Sequence, residues 1–90
     1  MNGSKPEVSV RLSTLDGGDR ESLRRLASLN DSPPPSGPVV LAEVDSDPVA
    51  ALSLSDGDTV ADPSRSSSSI IALLHLHYLE ARLIGAIWGV

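Results

Sequence analysis

Apolar and polar residues alternate from Val8 to Leu12, with Val8, Val10 and Leu12 interleaved by Ser9 and Arg11. That period of two predicts a strand buried on one face. From Gly17 to Leu29 the rhythm changes, and Leu23, Leu26, Ala27 and Asn30 recur at helical spacing, which predicts a helix with a single apolar stripe. Asp16 is placed to cap its first turn, and Asp19 lies near its positive end. Arg20, Arg24 and Arg25 fall away from the stripe and read as a solvated face.

The helix cannot run on through Asp31 to Pro38, DSPPPSGP, because each proline lacks an amide donor and restricts the residue before it. An extended connector is expected over residues 31–38. Beyond it, Val39 to Val44 and Val49 to Leu54 are strand-like runs around Asp45, Ser46, Asp47 and Pro48, the pattern of an antiparallel hairpin. Asp56 and Gly57 mark another turn before a brief run at Thr59 to Ala61. These runs predict an α+β fold, mainly an antiparallel sheet of about four short strands with two helices.

A leucine-rich helix of about four turns is predicted to begin near Ser69. Ile70, Ile71, Leu73, Leu74, Leu76, Leu79, Leu83 and Ile84 cover well over half its circumference at about 100° per residue. A helix apolar on so many sides is expected to be covered twice, by the sheet and by a second subunit. The expected interface comprises Ile70, Leu73, Leu74, Leu83 and Ile84, with Ile87 and Trp88 from an apolar tail at residues 85–90. LHLHYL also alternates, but the long continuous apolar run favours helix. His75 and His77 then lie on different faces, which argues against a zinc pair. His77 and Glu80 are spaced for a surface contact.

Composition narrows the function classes. Ninety residues make one small domain, a size at which association often supplements the core. Tyr78 and Trp88 are the only aromatic residues, so the core must be Leu, Val, Ala and Ile. The net charge of -5 opposes nucleic-acid binding, which needs clustered Lys and Arg. Between Asp31 and Asp62 there are seven acids and no base. Asp45/Asp47 and Asp56/Asp58 lack the ligand series of a calcium loop and read as turn formers.

Absence of cysteine excludes disulfides, thiolate metal sites and cysteine nucleophiles. The first twenty residues hold no apolar signal-peptide core, so a cytoplasmic location is expected. Residues 1–6 are polar and expected to be loosely held. The stretch from Ile70 to Val90 approaches the length of a bilayer crossing, but Glu80 and Arg82 oppose a true span. Contact of the tail with a membrane surface is the remaining membrane alternative.

The stretches VSVRLSTLDGGDRESLRRLASLN, PPPSGPVVLAEVDSDPVAALSLSDGDTVADPSR and IIALLHLHYLEARL, in that order, resemble the N-terminal half of the GNAT family, the GCN5-related N-acetyltransferases. The likeness spans residues 7–84 and is closest in texture to short actinobacterial acetyltransferase-like proteins. It implies a truncated acetyltransferase-like half domain. In the family, the loop before the central helix follows Q/R-x-x-G-x-G/A and holds the coenzyme A pyrophosphate on bare amides. Ser66, Ser69 and Ile71 stand at its three marked positions, so the loop is degenerate, and side chains occupy room that glycine would leave.

Arg65, Ser66, Ser67, Ser68 and Ser69 remain the candidate cofactor contacts that the resemblance implies. Later strands, which complete the family's cleft and carry its tyrosine acid, have no counterpart in these ninety residues, and Tyr78 lies within the helix. Glu43 is the one carboxylate away from the turns that is placed to approach a cleft as a base, and exposure on the polar side of its strand is the simpler reading.

The resulting expectation is a domain without acetyl transfer, catalytic residues or a bound cofactor, working as an interaction or assembly module through its last helix. Its expected partner is a second copy or another protein. The alternatives are an acetyl-CoA-dependent N-acetyltransferase completed by oligomerisation, and a peripheral membrane protein using the apolar tail.

Overall fold

The structure, a computed structural model, describes residues 7–87, with side chains as far as Leu83. Its elements are β1 (Val8–Ser13), α1 (Gly18–Leu29), β2 (Val39–Val44), β3 (Asp47–Ser53), β4 (Thr59–Ala61) and α2 (Ser68–Ile87). The four strands form one antiparallel sheet in the order β1-β2-β3-β4. This is the small α+β domain that the alternating and helical runs predict.

Strand alternation divides the core into two layers. On one side of the sheet, Leu23, Leu26 and Ala27 of α1 pack with Leu15, Val39, Leu41, Ala51 and Val60. On the other, Ile70 and Leu74 of α2 pack with Val40, Ala42, Val49, Ala50 and Leu52. The sheet is thus sandwiched between one helix per face, and β2 and β3, central in the order, are buried on both. Such strands read as continuous apolar runs rather than alternating ones, which is why VVLAEV and VAALS look as they do.

The hairpin turn is tighter than predicted. Asp45 and Ser46 alone make it, at φ of 51° and 69°, the paired positive angles of the turn whose twist matches the strands it joins. Neither residue is glycine, and Asp45 offsets the strain through β1. Its carboxylate accepts from the Glu7 amide at 3.0 Å, and its own amide donates to the Glu7 carbonyl at 2.8 Å. Pro48 therefore sits inside β3, not in the turn. It lies beside a register shift at Ala42/Glu43, a place where a residue lacking an amide is tolerated.

Three other expectations change. The α1 N-cap is Gly17, at φ 60°, with no side-chain cap hydrogen bond. Asp16 instead accepts the Thr14 hydroxyl at 2.8 Å. Leu12 is 61% exposed and Val8 40%, although both occupy the apolar phase of β1. Alternation fixes which face a side chain takes, and β1 is an edge strand whose α2 side is only partly covered. Lastly, α2 has 20 residues, longer than the predicted four turns, and its backbone takes in residues 85–87 of the predicted tail.

Candidate functional site

The segment between β4 and α2 holds the predicted serine loop. Asp62 follows β4, and its oxygens collect the donors that come next. The Asp62 carboxylate accepts the Ser64 amide at 3.0 Å and the Ser64 hydroxyl at 2.7 Å. Its carbonyl accepts the amides of Arg65 at 3.1 Å and Ser66 at 2.9 Å, and the Ser66 hydroxyl at 2.8 Å. The Ser64 hydroxyl, then the Ser64 amide, hold the Asp62 carboxyl below the usual carboxylate range. The amides of Ser64, Arg65 and Ser66 are thereby turned onto Asp62, whose carboxylate also lies 3.9 Å from the Arg25 guanidinium of α1.

The helix start is also engaged. Ser67 accepts the Ile70 amide on its hydroxyl at 3.3 Å, the geometry of an N-cap. Arg65 is ion-paired with Asp47 at the start of β3. Ser68 and Ser69 are exposed at the first turn, and Ile71 packs toward the sheet with the α2-side core. Beside this start is an open cleft of about 510 Å³ lined by apolar Val8, Val44, Ile70 and Leu73 and by polar Arg65, Ser67 and Ser69.

Of the predicted interface residues, Ile70 (7% exposed) and Leu74 (0%) are consumed by the sheet. Leu73 and Leu83 remain exposed at 38% and 63%, joined by Leu76 at 53% and Leu79 at 57%. The expected division of α2 into a sheet-facing side and an outer side is present, but Ile70 and Leu74 belong to the inner one. The side chains of Ile84 and Ile87, and the whole of Trp88, lie outside the described residues. His75 is exposed, while His77 is half-buried and 3.7 Å from Glu80. Among the described residues no group of His, Cys, Asp or Glu has a metal-holding arrangement, and no helix is long and apolar enough to cross a membrane.

A second polar cluster lies on the α1 side. Arg11 of β1 donates to both Asp19 oxygens at 2.8 and 2.9 Å, and its Nε donates to Glu43 at 3.1 Å. The Ser13 hydroxyl donates to Asp19 at 2.6 Å and accepts the Leu15 amide at 3.1 Å. Arg11, with help from the Ser13 hydroxyl, pulls the Asp19 carboxyl down to about 2. Asp19 and then Glu43 push the Arg11 guanidinium pKa upward.

The Glu43 side chain is only 15% exposed. It is neither the exposed residue expected nor a base near the serines, because it joins Arg11 and α1 across the other face of the sheet. Arg25, exposed as expected, also donates to the Pro48 carbonyl at 2.9 Å. Strand register and the packing of α1 on that face bring these groups together, and neither is written in the spacing of charges. The Asp-Pro-Ser sequence at 62–64, by contrast, is a turn signal that announces the Asp62 cluster.

These features define a two-faced α+β sandwich whose serine loop is internally bonded and whose second helix is apolar on its outer side. Compared with known proteins, the chain matches no family model, no curated protein and no solved structure.

Proposed function

We propose that the chain is an acetyltransferase-like domain that has lost acetyl transfer and works as a small assembly module, associating through the outer side of α2. One observation carries this reading: Leu76, Leu79 and Leu83 are more than half exposed on a helix whose inner side is already filled by Ile70 and Leu74. Removing apolar surface from water yields about 25 cal/mol per Å², so a leucine row left outside is a standing drive to associate. The serine loop supports the loss of acetyl transfer, since Ser69 and Ile71 carry side chains where glycine would let a diphosphate approach the backbone.

Sedimentation equilibrium over a wide concentration range tests the assembly. The wild-type chain is expected to exceed monomer mass, and Leu76→Glu/Leu79→Glu to remain monomeric at every concentration. A wild-type chain that stays monomeric refutes the reading.

The cleft beside Ser67 and Ser69 supports a second reading, acetyl-CoA-dependent N-acetyltransfer with a partner copy closing the cleft wall. Titration with coenzyme A separates the two. Tight binding that Ser67→Glu or Ser69→Glu abolishes favours the enzyme, and no measurable binding favours the assembly module.

A further inference from the structure

The outer side of α2 has a spacing of its own. Ala72, Leu76, Leu79 and Leu83 follow at intervals of four, three and four, the rhythm of a coiled-coil seam. At about 100° per residue their mean direction is opposite that of Ile70 and Leu74, and all four are exposed. A sheet explains one apolar row on a helix, whereas a second row at seam spacing fits another helix. Leu73 and Glu80 flank the seam on one side, His75 and Arg82 on the other, so its two borders differ in charge chemistry.

We propose that this seam is covered by the same seam of a second copy, with the two α2 helices parallel and in register; the inference rests on the assembly reading above. In that arrangement each seam leucine meets its own counterpart. The Glu80 border of one helix lies along the His75 border of the other, and two-fold symmetry makes this acid–imidazole contact twice. The antiparallel alternative aligns Leu76 with Leu79, sets Glu80 against Leu73, and sets His75 against Arg82, so it forfeits the complementary contact. A competing route, strand addition at the β4 edge, is obstructed within the protomer. The Asn30 carboxamide donates to the Ala61 carbonyl at 2.6 Å and accepts the Ala61 amide at 3.3 Å, occupying backbone groups that an added strand would use.

The chain has no cysteine, so single-cysteine variants report the register directly. Leu76→Cys and Leu79→Cys, oxidised separately at concentrations where sedimentation shows association, are each expected to form a disulfide-linked dimer. Arg24→Cys on α1 is expected to stay unlinked. Linking only when the Leu76→Cys and Leu79→Cys chains are mixed overturns the parallel register. An associated protein that gives neither link overturns the proposal and leaves the assembly reading standing. A monomer overturns both, and a monomer that sediments with anionic vesicles through Leu76 and Leu79 assigns the face to lipid instead.

Charge exchange supplies a measurement independent of cysteine. Glu80→Lys is expected to weaken self-association about threefold, and adding His75→Glu to restore it. No recovery in the double variant contradicts the proposed border contact.

Discussion

Both helices press on the same sheet, from opposite faces, with inner rows buried to the same degree: Leu26 and Leu74 are each fully covered. Their outer sides diverge. That of α1 is polar, with Arg20, Glu21 and Arg24 in solvent and Glu21 paired to Arg24 at 3.1 Å. That of α2 carries Leu76, Leu79 and Leu83. A helix with one neighbour needs one apolar row, and α1 has one. The additional row on α2 contributes little to the protomer's own core.

Truncation of the inner rows has the largest expected effect. Leu74→Ala and Leu26→Ala should each destabilise the domain by about 3 kcal/mol in urea unfolding. Leu79→Ala, at concentrations where the chain is monomeric, should stay within about 0.5 kcal/mol. Equal losses at Leu74 and Leu79 would break the comparison, because they would make the outer row part of the protomer's own core.

The α1 side also has a polar clamp to test. Asp19→Asn should cost about 1–2 kcal/mol near neutral pH, a range that allows for the 43% exposure of Arg11. Asp19 is lowered from 3.8 to about 2 on folding. Its contribution is therefore complete above its ordinary carboxylate pKa and is lost as pH falls through about 2. Urea titrations along that descent should show wild-type stability converging on that of the variant. A gap that persists at the acid end would mean the clamp does not act through the Asp19 charge.

Ser67→Ala comes next, with an expected loss of about 1 kcal/mol from the α2 N-cap, read by the same unfolding experiment. Arg24→Ala should be the smallest, within about 0.5 kcal/mol, because its partner and it are both solvent-exposed. An Arg24 effect as large as that of Asp19 would erase the distinction between a surface pair and a clamp.

Much of this architecture is legible in the chain. Leu23, Leu26 and Ala27 mark the buried side of α1, and the runs around Asp45 mark the hairpin, because local periodicity reflects burial directly. The exposure of Leu12 is not legible, since period fixes a side and says nothing about how far a helix on that side extends. Arg11, Asp19 and Glu43 look like scattered surface charges in sequence, and they are gathered by the pairing of β1 with β2 together with the packing of α1 on that face. Apolar coverage around α2 is plain from its leucines, but assigning Ile70 and Leu74 to the inner row requires the sheet. The serine loop shows its departure from a glycine cradle in its letters, and the bonding of the Ser64, Arg65 and Ser66 amides to Asp62 follows from the turn they form.

Thermal unfolding across a series of protein concentrations tests most directly whether α2 is an association surface. A folded state that associates gains stability by mass action. The wild-type melting temperature should therefore rise with concentration, and that of Leu76→Glu/Leu79→Glu should stay constant. A wild-type melting temperature that does not change with concentration would contradict the account.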